Sequence, residues 1–172
     1  MEQRDIDTEL ADATELLDAT SSGHLAYTAK DGTPRVVPVG YFWTGEVFVI
    51  ATAPTAPKAT ALVARPDVAL AIDAGGTPQE TRSLSVRGRA DVRVVDGVAE
   101  EYLAAARKSM DAAAYAQFEQ SCRAMYPQMA RIAVTPTWAR YFDFGAGRFP
   151  KFLAELAERS GQSAAGHDGG QG

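Results

Sequence analysis

The chain has a single cysteine, Cys122, among 172 residues. No internal disulfide can form, and a reducing cytoplasm is the expected compartment. Histidine is nearly as scarce, with only His24 and His167. One cysteine and two histidines leave little material for a zinc site. No apolar run approaches the roughly 20 residues that span a bilayer, which argues against a membrane partner. The N-terminus, MEQRDIDTEL, is acidic and polar and does not read as a secretory signal. Basic charge is in deficit: 17 Lys and Arg stand against 22 Asp and Glu, a net charge of −5. That argues against nucleic acid or an anionic membrane as a general partner. There is no internal repeat, no nucleophilic triad and no nucleotide-specific fingerprint for NADPH.

What is present suffices for one domain with a real core, since 46% of residues are hydrophobic and 23% charged. Alanine richness and a preference for arginine over lysine point to a GC-rich bacterial genome. Asp5 or Asp7 can cap a first helix, with Ile6, Leu10, Ala13 and Leu17 at helical spacing and Ser21-Ser22-Gly23 as its stop. Gly23 to Ala29 reads as a strand, and Asp31-Gly32 as a hairpin turn. Val68 to Asp73 is a short buried strand. Thr81 to Val95 alternates cleanly, with Leu84, Val86, Gly88, Ala90, Val92 and Val94 on one face. Arg87, Arg89 and Arg93 share the other face, either solvated beside Asp91 or facing a ligand. Two helices follow between about 97 and 126, the second capped by Asp111 and striped by Tyr115, Phe118, Cys122 and Met125. The stripe reads as core or dimer contact, and Cys122 as a small buried hydrophobe. The last strand spans Arg131 to Phe144.

The most informative stretch is Arg35 to Lys58. Val36, Val37, Val39, Tyr41, Phe42 and Trp43 form a β-favouring run, and Glu46 to Thr52 a second, with Thr44-Gly45 as the turn between. Pro38 forbids one ladder hydrogen bond and implies an edge, a bulge or an irregular site. Pro57 then opens a helix at about 57–64, which places Lys58 in its first turn. A lysine there opposes the helix dipole, unless an anion reverses the sign. The residue is either an exposed lysine or part of a phosphate site with free backbone N–H groups and the hydroxyls of Thr52 and Thr55.

The order GHLAYTAKDG, PRVVPVGYFW, EVFVIAT, a Lys-opened helix with ATALVARPDVALAID, and SLSVRGRADV resembles the pyridoxamine 5′-phosphate oxidase-like superfamily of flavin-binding split β-barrels. The match runs from about Gly23 to Asp143. The resemblance implies a mainly β fold with flanking helices: a six-stranded antiparallel split barrel that forms a homodimer with cofactor at the interface. Its expected organisation is an N-terminal helix in 1–22, the barrel and its inserted helices in 23–145, a short helix in 146–159 and a disordered tail in 160–172. It further implies that Arg35, Val36, Val37, Pro38 and Val39 run beside the isoalloxazine ring. Ala51 and Thr52 would border the ribityl phosphate, and Lys58 would hold that phosphate. Pro57 stands where relatives commonly carry a second basic or hydroxyl residue, which either weakens the phosphate site or hands the task to Arg35 or another arginine. Ser83 stands where some members use glutamine. Phe142 falls where relatives often place an aromatic near the flavin. The end YFDFGAGRFPKF lacks the Arg and His arrangement that grips pyridoxamine phosphate. The implied activity is that of an FMN-dependent oxidoreductase acting on an unidentified small molecule. A reductase using the deazaflavin coenzyme F-420 is the alternative, with Arg87, Arg89 and Arg93 as a basic groove. A non-catalytic flavin- or haem-binding protein is the reading of another class, with His24 as the one histidine placed to ligate haem.

Overall fold

The structure is a computed structural model that describes the backbone of residues 1–165 and the side chains of residues 1–159. In chain order the elements are α1 (Gln3–Asp12), α2 (Thr14–Ala19), β1 (Ser22–Thr28), β2 (Pro34–Gly40), β3 (Phe42–Trp43), β4 (Phe48–Thr52) and α3 (Pro57–Ala64). There follow β5 (Asp67–Ala74), a 3₁₀ turn at Pro78–Glu80, β6 (Arg82–Asp96), α4 (Glu100–Arg107), α5 (Ala112–Met125), β7 (Gln128–Asp143) and α6 (Lys151–Ala165).

The seven strands form one sheet in the order β2-β1-β5-β6-β7-β4-β3, and every pairing is antiparallel. The run expected as a single strand from Arg35 to Trp43 is broken at Tyr41, which adds a two-residue seventh strand to the six expected. Strands β2 and β3 are separated in sequence by Tyr41 alone, yet lie at opposite edges of the sheet. The sheet must therefore curl until its edges meet, which is the split barrel. Tyr41 is fully buried at that seam, its ring 5.8 Å from that of Phe48. Thr44 to Val47 turns the β3–β4 hairpin, with Gly45 at φ +96°, a conformation open to glycine without strain.

The core follows the alternation of the strands. Leu25 and Tyr27, Leu70 and Ile72, Leu84 and Val86, and Ile132 and Val134 all point inward and are buried. Helices α1 and α2 add Ile6, Leu10, Leu16 and Leu17, and α3 adds Ala59, Ala61 and Leu62. Each fully buried aliphatic side chain of this kind contributes about 1.5–3 kcal/mol of transfer free energy. A second cluster of Val98, Leu103, Cys122 and Met129 lies under α4 and α5.

The first helix departs from expectation at its start. It begins at Gln3 with Glu2 as N-cap and no side-chain cap bond, so neither Asp5 nor Asp7 caps it. A break at Ala13 divides the N-terminal segment into α1 and α2. Glu9 is buried, which the sequence did not indicate. Its carboxylate accepts from the Tyr141 backbone N–H at 2.7 Å, from Arg148 Nη2 at 2.6 Å and from Arg140 Nη1 at 3.1 Å. These bonds fasten α1 to the end of β7. Asp111 does cap α5, accepting from the Ala114 N–H at 2.9 Å. Helix α6 continues to Ala165, past the boundary expected at 159, so residues 160–165 of the expected disordered tail have helical backbone. Residues 166–172, including His167, lie outside the described residues. No helix among the described residues is long and apolar enough to cross a membrane.

Candidate functional site

Two clefts lie at opposite ends of β2. Arg35, near its start, borders a cleft of about 390 Å³ with Tyr27, Thr55, Pro57 and Thr60. Gly40, at its end, borders a cleft of about 290 Å³ that α4 and α5 close with Glu101, Tyr102 and Phe118. Arg35 and Gly40 are separated by roughly 17 Å of extended chain.

Between them, β2 is an edge strand. It pairs with β1 alone, so its other edge carries backbone groups without ladder partners, and Pro38 is tolerated there. Val37 lies opposite Leu25 and Val39 opposite Gly23; Val39 is buried in the core, and Val37 packs against it. Val36 and Pro38 lie opposite Ala26 and His24 on the outer face, and both are exposed. A ligand beside β2 would thus meet the side chains of Val36 and Pro38, but only the backbone of Val37 and Val39.

Helix α3 begins beside the first cleft. Pro57 is its first residue, the N-cap Ala56 offers no side-chain acceptor, and the first turn carries no acidic residue. The N–H groups of Lys58 and Ala59 meet no acceptor among the described residues. The Lys58 ammonium, half-buried, makes no ion pair or hydrogen bond among them either. A cation with two free donors at a helix start suits a phosphate, so the residues present fit the terminal phosphate of a flavin nucleotide.

The remaining expected residues divide. Ala51 lines the second cleft, while Thr52 pairs with Ala130 and lines neither. Thr55 supplies the hydroxyl at the first cleft. The Arg35 guanidinium folds back on the β1–β2 turn, where it reaches Asp31 at 2.9 Å and also Thr33. Hydrogen bonds from the Thr33 side chain and backbone, with help from Arg35, hold the Asp31 carboxyl down at about 2. Arg35 is therefore committed before any phosphate arrives. The arginine strand is likewise occupied. Arg87 lies 4.5 Å over the Trp138 ring, Arg89 pairs with Asp67 at 3.0 Å and Arg93 with Asp91 at 2.7 Å. His24 is exposed on the outer face and lines neither cleft. Ser83 and Phe142 face each other across β6 and β7, away from both clefts. Cys122 is buried, and burial pushes its thiol above the ordinary range. Among the described residues, no cluster could hold a metal ion.

Sequence reasoning missed Glu101 and Tyr102. Glu101 Oε1 accepts from Arg131 Nη2 at 2.7 Å and Nε at 3.0 Å. Burial raises this carboxyl, but the hydrogen bonds from Arg131 and from its own backbone N–H, with the charge of Arg131, outweigh it, and the net shift is downward. In the sequence Glu101 shows only as an acid early in a helix; its place in a cleft depends on β4 and β7 packing beneath.

An antiparallel sheet rolled until its edges meet, with flanking helices and clefts along the seam, defines a split-barrel protein. The family described as pyridoxamine 5′-phosphate oxidase matches residues 11–143, and the chain belongs to it. Comparison with curated proteins finds no match. Among solved structures the chain is similar to an F420 reductase, at 27% identity and TM-score 0.58, over 73% of this chain and 93% of that one. A conserved hypothetical protein from Mycobacterium tuberculosis is similar at 17% identity and TM-score 0.58, over 87% and 89%. A FAD-binding protein from Mesorhizobium loti is similar at 22% identity and TM-score 0.51, over 76% and 89%.

Proposed function

We propose that this chain is an oxidoreductase that binds FMN without a covalent bond and moves hydride to or from a small molecule. The observation that carries the reading is the start of α3: Pro57 lines the cleft at one end of edge strand β2, and the next residues bring Lys58, without an ion pair among the described residues and outside the cleft lining itself, and two free N–H groups. Lys58 would hold the phosphate, with Thr55 at hand. Arg35 to Val39 would present the free backbone edge to the ring, and Ala51 and Thr52 would border the ribityl phosphate. The flavin supplies the hydride chemistry when bound; the chain supplies binding, orientation and exclusion of water. Val36 is 65% exposed and adjoins exposed Pro38. A second copy of the chain covering that face would complete the site, so the working form is a homodimer.

The similarity to an F420 reductase favours a second reading, in which the deazaflavin coenzyme replaces FMN. The engagement of Arg89 and Arg93 with acids leaves Arg87 as the arginine on that strand without an acidic partner among the described residues. Titration of the purified protein with each coenzyme decides between the readings. Saturable uptake of FMN supports the first, and uptake of the deazaflavin alone supports the second.

A further inference from the structure

The cleft under α4 and α5 has features that phosphate anchoring does not use. Its lining is aromatic, with Tyr41, Tyr102 and Phe118. Tyr102 and Phe118 stack, their ring centroids 5.9 Å apart. Small residues, Gly40, Ala51 and Ala106, leave the space between open. Among the described residues, one charged group borders it, the carboxylate of Glu101. Arg131 spends both of its bonds on Oε1, so Oε2 receives no hydrogen bond from another described residue. The Arg131 pairing holds Glu101 ionised and fixes its orientation, with only 23% of its side chain exposed. The volume of about 290 Å³ is at the small end for ligand clefts and suits one or two fused rings.

We infer that this cleft is the substrate subsite, and that it takes a small, planar, uncharged molecule whose O–H or N–H donates to Glu101 Oε2. A cationic ligand is disfavoured because Arg131 already neutralises the carboxylate. An anionic one finds no cation in the lining to pair with, since Arg131 is spent on Glu101 Oε1. A planar ring would lie against the Tyr102–Phe118 wall with its donor turned to Glu101, at the opposite end of β2 from Lys58. That the occupant is a substrate rests on the cofactor reading above. That the cleft binds such a molecule does not.

The test is calorimetric titration of the full chain with β-naphthol and with its methyl ether, with and without bound coenzyme. The naphthol should saturate, and the ether, lacking the donor, should bind roughly tenfold more weakly. Glu101→Gln puts an amide donor where an acceptor was needed and should abolish that preference. Ala106→Phe, on another residue of α4, fills the space and should weaken both ligands by at least roughly tenfold. Both variants should keep coenzyme uptake within about twofold of the parent. Naphthol binding indifferent to Ala106→Phe, or a preference surviving Glu101→Gln, would overturn the assignment. Equal loss of coenzyme and naphthol in both variants would also overturn it, giving the cleft to the coenzyme ring. Should the parent take up no coenzyme, the cofactor reading fails alone, and the cleft is still judged by the naphthol titrations.

Discussion

Tyr41 and Thr20 share a hydrogen bond of 2.7 Å between their hydroxyls, at the one residue that separates the two edge strands. Thr20 Oγ1 also lies 2.7 Å from the Leu16 carbonyl oxygen, so the bond ties the barrel seam to the end of α2. Thr20 gives its one hydroxyl hydrogen to Leu16, so Tyr41 is the donor in this pair; burial raises its phenol above the usual range despite the bond with Thr20, and it stays protonated at physiological pH. Tyr41→Phe keeps the packing and removes the bond. It should lower stability by about 1 kcal/mol. A urea midpoint identical to the parent's would show that the bond contributes nothing.

Glu9 concentrates three polar contacts on one buried carboxylate. Glu9→Ala leaves the Tyr141 N–H and the Arg140 guanidinium without their acceptor, while Arg148 keeps its pairing with Asp12. Both arginines are at least one-third exposed, so water recovers part of the loss. The expected destabilisation is about 2 kcal/mol. Thermal unfolding measures it, and a change below the scatter of surface substitutions would contradict the role assigned to Glu9.

Gly88 sits where β6 and β7 shift register, between the pairings Arg87–Trp138 and Gly88–Pro136. A methyl there would lie 2.5 Å from the Thr135 carbonyl oxygen and 2.7 Å from Val134 Cγ1. Gly88→Ala must therefore move backbone in the centre of the sheet and should cost about 2 kcal/mol. Parent-like stability in this variant would mean that the strands separate there more easily than their geometry implies.

The Asp31 carboxyl lies below its ordinary value of 3.8, at about 2. A depressed folded value means that the folded chain releases this proton more readily than the unfolded chain. The resulting stabilisation is present above pH 3.8 and is lost as pH falls toward 2. The stability difference between the parent and Asp31→Asn should accordingly shrink across that interval. A difference constant with pH would remove Asp31 as its source.

Local signals were legible and tertiary ones were not. The alternation of Leu84 and Val86 against Ser85 and Arg87, Pro57 at the first position of α3 and the Asp111 cap each depend on neighbours within a few residues, and each reads directly. Tyr41 breaks its strand because the barrel must close there, which no window around VGYFW reveals. Arg35 looked available for phosphate, but Asp31 lies four residues away across a turn and takes it. Lys108, which suits the end of α4 by the helix dipole, instead donates to the Leu17 and Thr20 carbonyls at the end of α2. Glu101 was hidden for the same reason: its partner Arg131 is on another element.

The most direct measurement is titration of the parent and of Lys58→Ala with FMN and with the deazaflavin coenzyme, followed in the visible spectrum. The account predicts saturable uptake of a coenzyme by the parent, FMN on the first reading. It predicts affinity lower by roughly tenfold or more in Lys58→Ala, with unfolding unchanged, because on this reading Lys58 would hold the phosphate and it makes no ion pair or hydrogen bond with a described residue. Uptake of neither coenzyme by the parent, or equal affinity in the variant, would contradict it.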